Sequence, residues 1–565
     1  MPGVCRGREH SKTGQRRTMN SAEVTGRFVL LVVLAAAIIW FAGLGYRDLI
    51  EPDEGRYAEI PREMVASGDW ITPRLNDYKY FYKPVLQYWA TATAFTLFGE
   101  SSATARLWPA LLGFLGALWG GFVAWRLYGA TAGFYAGLIT LSALLYVVDG
   151  HYLVLDMSLS VFLAMGFGCL VLAQQQRGDP VAVRNWMLAG WGALALATMT
   201  KGPIGAVLPA MTVVVYSLWT RDWQLWRQLH IVKGVLLFLL ITAPWFIAVS
   251  LANPEFPEFF FVREHLERYT STVHEREGGW WYFIPVFLLG IFPWIAVALA
   301  SLFRPGFPAR GSVPRGFHAE RFLWTFAVVV FVFFSLGQSK LPSYILPMIP
   351  AIAILAGRRI ASRGYLRADA WLLTGMALGL FMVAIFITRF ESSSIPAALY
   401  ADYRPWVLAG ASLFAVAAFI AVRYRPLRNG HIAVIGLLSL LAIQVVLSGF
   451  QALSPSRSSQ AMSAAIRAAV PAETEVFALA TFPKSLPFYL QRTLTLVRVK
   501  DEIEISIMQE PGRWIGSLDE FQHRWQAADQ AVAVFRTHDL DEFRPMLEPM
   551  QVIHRNPRRT AVIKR

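Results

Sequence analysis

The chain has 565 residues, 55% of them hydrophobic and only 16% charged, with 52 basic side chains against 38 acidic ones. Soluble domains carry about 25% charged residues, so this composition excludes an ordinary water-soluble enzyme and places most of the chain in lipid. A net charge of +14 would point a soluble protein toward nucleic acid; here the arginines fall in short loops between apolar runs, where they set orientation instead.

Apolar runs long enough, or nearly so, for the ~20 residues of a helical span occur at 27–45, 107–126, 131–149, 152–173, 187–200, 203–219, 231–250, 281–302, 322–337, 343–356, 370–389, 405–423 and 432–450. The twenty Trp, nineteen Tyr and thirty-nine Phe fit aromatic belts at both interfaces. No small-residue cleavage site follows the first run, so it reads as a span and not a signal peptide. Cys5 and Cys169 sit too far apart in membrane depth to pair, and no Cys-based metal site follows.

A further run, 84–99, is short and carries Gln87 and three threonines. Parity decides it. The tail 1–26 and the loops 174–186, 220–233, 303–321, 357–369 and 423–431 are rich in Lys and Arg, which puts them on the cytoplasmic side. An even number of spans must then separate the N-terminal tail from residue 177, and counting 84–99 as a span makes the number odd. The reading is thirteen spans over 27–450, with 84–99 a juxtamembrane or re-entrant helix, the N-terminus inside and the C-terminus outside. The outer parts are the first loop 46–106, residues 150–151, Lys201-Gly202, the loop 251–280, 337–343, 390–404 and the tail 451–565. In that tail, runs such as 475–480 and 531–535 read as strands beside a helical stretch at 458–469, a small α/β domain.

The polar residues suited to chemistry gather in those outer parts. Glu51-Pro52-Asp53-Glu54-Gly55-Arg56-Tyr57 follows directly on the first span. The bland reading is that Asp53 caps an amphipathic helix with Tyr57, Ile60 and Met64 on its apolar face, and that Glu54 suits its first turn. A cap and a catalytic carboxylate are compatible, because capping fixes the side chain. Asp156 is the second acid. A carboxylate in a span costs ~2.5–3.5 kcal/mol on insertion scales and usually faces a polar cavity; the bland alternative is a buried ion pair with Lys or Arg. Among the cations, Lys201 reads as a snorkelling side chain, whereas Lys83 lies amid Tyr80, Phe81, Tyr82 and Pro84, and Lys340 shares a short loop with Ser343 and Tyr344. Lys, Arg and Tyr donors converging at a membrane surface make a phosphate site through charge-assisted hydrogen bonds. The loop 251–280 adds Arg263-Glu264-His265-Leu266-Glu267-Arg268 and His274. His265 and His274 are the metal candidates, for zinc, although their spacing matches no closed structural site and such charge runs usually form a solvated helix. No Walker A, GxGxxG or GxSxG pattern is present, so nucleotide-driven chemistry is unsupported.

Five segments, EPDEGRYAEIPREMVASGDWITPRLNDYKYFYKP (51–84), DMSLS (156–160), TKGPIG (200–205), REHLERYT (263–270) and QSKLPSYILPMIP (338–350), together resemble the 4-amino-4-deoxy-L-arabinose transferase family. Its members are GT-C fold glycosyltransferases of the bacterial inner membrane that modify lipid A. The resemblance spans 25 to about 450 and is weakest in the tail. It implies an undecaprenyl-phosphate-linked sugar donor, a lipid A phosphate acceptor facing the periplasm, no nucleotide sugar and no required cofactor, zinc being the one structural metal the pattern allows. By motif match Asp53, with Glu54 beside it, and Asp156 are the catalytic candidates. Lys83, Arg268, Tyr344, Lys340 and Tyr82 are the donor-phosphate set. The implied product is lipid A of lower negative charge, hence resistance to cationic antimicrobial peptides such as polymyxin; membrane lipids are the other partners, nucleic acid is not one, and a monomer is expected. Two readings compete: another GT-C enzyme moving mannose or galacturonic acid from a polyprenyl phosphate, and a lipid or polysaccharide transporter. Transporters place charge near mid-membrane, and here it gathers on one face.

Overall fold

The computed structural model of the chain describes residues 24–267, 278–304, 316–499, 502–510, 512 and 514–565. The apolar runs become helices whose ends are set by local chemistry. α1 (Gly26–Phe41) starts at Thr25, whose hydroxyl accepts from the Phe28 N–H at 3.4 Å. α2 (Asp53–Ser67) ends at Gly68, which takes the left-handed conformation (φ 74°) that lacks a Cβ penalty. A hairpin of β1 (Arg74–Leu75) and β2 (Tyr78–Lys79) turns through Asn76 and Asp77, both at positive φ, as a two-residue type I′ turn requires. α3 (Leu86–Phe98) has 13 residues, and α4 (Ser102–Tyr128), 27 residues long, opens with a reciprocal Ser101–Thr104 capping box.

α5 (Ala130–Ser142) and α6 (Leu144–Gly150) follow, then α7 (Asp156–Gln175), α8 (Pro180–Lys201), α9 (Ile204–Thr220), the short α10 (Gln224–Gln228) and α11 (Ile231–Ala252). Beyond a π-helical segment, Glu258–Glu267, come helices Phe283–Gly290, Ile295–Phe303, Ala319–Leu336, Met348–Arg363, Arg367–Phe386, Ala397–Arg423 and Asn429–Ser448. Among the described residues, seven helices are long and apolar enough to cross a membrane, or up to eight with α5 and α6 counted as one. This is a multi-pass α-helical membrane protein.

Two runs expected as continuous, 131–149 and 281–302, are each broken. α6 bends 63° from α5 at Ala143, and the later run stops at Gly290 and resumes at Ile295. In lipid every backbone polar group needs an internal partner, and the two breaks supply each other. The Leu144 N–H donates to the Phe292 carbonyl at 3.0 Å, and the Trp294 indole donates to the Ser142 hydroxyl at 2.9 Å. Asp369 accepts the Ala296 N–H at 2.6 Å, capping the second half-helix. Close helix contact rests on small residues: a Cβ on Gly133 of α5 would sit 2.7 Å from the Gly121 carbonyl of α4.

The tail forms a six-stranded sheet of order β5-β4-β3-β6-β8-β7. β3 (Glu475–Leu479), β4 (Thr495–Val497), β5 (Trp514–Ile515) and β6 (Ala531–Arg536) run parallel; β7 (Met550–Arg555) and β8 (Arg559–Lys564) add antiparallel pairs. Central β6 is almost wholly buried, as its unbroken Ala531-Val532-Ala533-Val534-Phe535 run demands. This domain is not a loose appendage. One apolar cluster joins Ile60, Met64 and Tyr88 of the first loop to Ile466, Val476 and Leu496 of the sheet domain.

Candidate active site

The start of α2 follows directly on the Glu51–Pro52 pair, and Asp53 and Glu54 in its first turn complement the helix dipole. Asp53 does not cap it: no side-chain cap bond exists there, and the Asp53 carboxylate instead accepts from the Arg56 guanidinium, with its side chain 32% exposed. Tyr57, Ile60 and Met64 are buried, as the expected apolar face requires. Arg56 also donates to Glu502 of the C-terminal domain, whose carboxylate accepts from Lys484 at 2.5 Å. Burial alone would raise Glu502, but Arg56 and Lys484 outweigh it and hold its carboxyl down to about 2. The Tyr82 hydroxyl donates to the Glu502 carbonyl, and the Tyr80 and Tyr82 rings lie 5.0 Å apart. Burial pushes the Tyr57 and Tyr80 hydroxyls well above their ordinary range, so both stay neutral donors.

Glu54, the second carboxylate of the expected catalytic set, lies where nothing of it reaches a surface. It is 0% exposed and accepts from Arg106 Nε (2.7 Å) and a second Arg106 nitrogen (2.8 Å), from the Ile50 N–H (2.9 Å) and from the Leu153 N–H (3.1 Å). Arg106 is equally buried. The pair ties the first loop to α4 and to the turn before α7.

Asp156 opens α7 and Lys201 closes α8, so each charge complements its own helix end. The Lys201 ammonium donates to Asp156 at 2.5 Å and stands 4.8 Å over the Tyr344 ring. The snorkelling reading of Lys201 therefore gives way: it is the cation that joins Asp156 to the Tyr344 loop. Lys83 pairs with Glu264 at 2.5 Å, and Glu264 is buried, not on a solvated helix face. Lys340, expected in the phosphate set, closes a helix end in this structure. Its ammonium donates to the carbonyls of Phe334 (3.0 Å), Ser335 (2.6 Å) and Gly337 (2.6 Å), the open end of helix Ala319–Leu336. Arg268 and His274 lie outside the described residues, as does the side chain of His265; among the described residues no group of three His, Cys, Asp or Glu forms a metal site.

The arrangement is thus two carboxylates at helix starts, Asp53 partly exposed and Asp156 buried, each held by a cation. Arg56, Lys484 and Glu502 were missed in sequence because the contact that matters spans 446 positions. Acids held by cations on a polytopic helical scaffold are compatible with transfer chemistry at a membrane surface. Residues 462–564 match the aminoarabinose transferase C-terminal domain, and residues 26–260 the dolichyl-phosphate-mannose-protein mannosyltransferase family. The undecaprenyl phosphate-alpha-4-amino-4-deoxy-L-arabinose arabinosyl transferase of Shewanella sediminis is 32% identical over 424 residues, 72% of this chain and 73% of that protein. The crystal structure of ArnT from Cupriavidus metallidurans bound to undecaprenyl phosphate is similar with a TM-score of 0.87 and 36% identity, over 96% of this chain and 99% of that one. Its apo state gives 0.86 and 35% over 95% and 98%. This chain belongs to the aminoarabinose transferase family and is a GT-C glycosyltransferase.

Proposed function

We propose that the chain transfers 4-amino-4-deoxy-L-arabinose from undecaprenyl phosphate to a phosphate of lipid A, at the periplasmic face of the bacterial inner membrane. The observation that carries the reading is the likeness, over 96% of this chain, to a transferase that holds undecaprenyl phosphate. The side chains fit the chemistry. As the glycosidic bond breaks, charge grows on the leaving polyprenyl phosphate, and fixed cations stabilise it. Lys83, Lys201 and Arg268 supply them, with Tyr344 beside Lys201. Asp53 and Asp156 orient the sugar, hold its ammonium group or stabilise the oxocarbenium-like centre. The acceptor phosphate is already anionic and needs no strong general base, so one displacement inverts the anomeric carbon and no cofactor is required. Lipid A of lower negative charge attracts fewer cationic peptides.

The proposed topology has thirteen crossings, with α5–α6 and 283–303 each taken as one span and α2 and α3 as juxtamembrane helices. Asp53, Asp156 and Lys201 then share the outer face, with the C-terminal domain over them, and the protein works as a monomer. A second reading, transfer of mannose, is favoured by the mannosyltransferase match over 26–260. Purified protein given undecaprenyl-phosphate aminoarabinose and lipid A tests the first reading. Appearance of aminoarabinosyl lipid A is expected; transfer from a mannosyl donor alone would replace it.

A further inference from the structure

The turn that carries Asp53 is gripped on both sides by the C-terminal domain. Two positions before it, the Glu51 N–H donates to the Arg457 carbonyl at 2.8 Å. The buried Glu51 carboxylate accepts from the Ser459 hydroxyl (2.6 Å), the Ser485 N–H (3.2 Å), the Ser485 hydroxyl (2.5 Å) and the Arg559 guanidinium. Two positions after it, Gly55 lies against the same domain: a Cβ there would meet the Ser485 nitrogen at 2.5 Å. Next, Arg56 links Asp53 to Glu502. Farther along the loop, Asn76 exchanges two hydrogen bonds with the Leu494 backbone, at 2.9 and 2.7 Å.

Tethering alone does not call for this. A buried ion pair is often no more stable than apolar residues of similar volume, and a nearby apolar cluster already joins the two parts. Four donors on one carboxylate fix direction instead. Pro52, with its locked φ, passes the orientation of Glu51 straight to Asp53.

We propose that Arg559, acting through Glu51, is a positioning residue for Asp53, so that the C-terminal domain is the template of the reactive turn. The inference rests on the reading of Asp53 as the group that meets the donor sugar. Reacting groups misplaced by 1 Å lose roughly a hundredfold in rate, and once the turn is fixed Arg56 holds the remaining side-chain torsions of Asp53.

The test uses the full-length purified protein and its Arg559→Gln, Arg559→Lys and Gly55→Ala variants. Amide hydrogen exchange over residues 51–56 is expected to rise at least tenfold, roughly, in Arg559→Gln and Gly55→Ala, with α4 and α7 unchanged. In turnover of undecaprenyl-phosphate aminoarabinose, Arg559→Gln is expected to lower kcat by roughly tenfold to a hundredfold with donor KM within about twofold. Arg559→Lys restores most of the loss. Unchanged exchange in both Arg559→Gln and Gly55→Ala overturns the template, as does wild-type kcat in a variant whose turn has loosened. Matched loss of donor affinity and thermal stability, without rescue by lysine, leaves a merely structural contact and also overturns it. Should the wild type turn over no aminoarabinose donor, the proposed function fails while the exchange data still decide the template.

Discussion

Glu54→Gln separates a structural acid from a chemical one. Glu54 and Arg106 are both 0% exposed, and the carboxylate takes two guanidinium hydrogen bonds and two backbone N–H bonds. Burial would raise the Glu54 carboxyl, but Arg106 holds it below its usual range and so ionised. Replacing it with a neutral amide of equal size leaves the Arg106 charge buried without its counterion, which typically costs ~3–5 kcal/mol. Arg106 keeps three carbonyl acceptors, at Leu44 (3.1 Å), Arg47 (2.7 Å) and Asp48 (2.8 Å), which favours the lower end of that range. Even about 3 kcal/mol is a large share of the ~5–15 kcal/mol that folded domains possess. The assay is unfolding of the purified protein in detergent by denaturant, beside the Glu54→Met/Arg106→Met double variant. The single variant is expected to lose about 3 kcal/mol and the double variant much less, a coupling of roughly 1–3 kcal/mol. A Glu54→Gln protein as stable as the wild type but inactive would refute this and return Glu54 to the chemistry.

Asp53→Asn and Asp156→Asn are each expected to cut kcat/KM by roughly 10²–10³, since a preorganised active-site group is worth ~2.7–4 kcal/mol in the transition state; the unfolding midpoint stays in place for Asp53→Asn and falls for Asp156→Asn, which leaves Lys201 without its counterion. In a donor titration, Lys83→Met and Lys201→Met weaken affinity by roughly tenfold to a hundredfold, from ~1.5–3 kcal/mol per charge-assisted bond, whereas Lys340→Met lowers stability with affinity unchanged; equal donor affinity in all three variants would contradict the assignment. Burial, then the neighbouring Glu59, raises the Glu63 carboxyl, so its contribution to stability is full below the ordinary carboxylate pKa of about 4.3 and falls as pH rises through the folded value. Glu63→Gln, which has no ionisable group and keeps one oxygen to accept from the Asn76 and Asp77 N–H groups where the carboxylate has two, should flatten that slope in pH-dependent unfolding. Glu502 has the opposite sign: its grip on Arg56 and Lys484 is complete above about 4.3 and is lost as pH falls toward about 2, so exchange over 51–56 should rise with acid in the wild type and lose that dependence in Glu502→Gln.

The legible parts of this protein were those written in local pattern. Apolar runs gave the helices, and a carboxylate beside a span boundary marked Asp53 and Asp156, because charge at that depth is expensive without a use. The strand runs at 475–480 and 531–535 became β3 and β6, direct neighbours in the sheet. The breaks at Ala143 and Phe292 were hidden, since their freed backbone groups are satisfied by each other and by Asp369, contacts between segments distant in sequence. Lys340 was ambiguous for a different reason. A lysine just past a helix end is as well suited to capping carbonyls as to binding phosphate, and only the fold shows which carbonyls are open. Arg106 lay one residue outside an apolar run, and Glu502 and Lys484 lay in a tail read as separate. Their roles depend on the C-terminal domain folding back onto the first loop, a contact between segments more than four hundred residues apart.

The most direct test of the central claim is mass spectrometry of lipid A from cells with and without this gene, grown under conditions that induce lipid A modification. The account predicts an added aminopentose on lipid A phosphate that is present with the gene, absent without it, and absent with the Asp53→Asn protein expressed at wild-type level. Lipid A of identical mass in the presence and absence of the gene would contradict it.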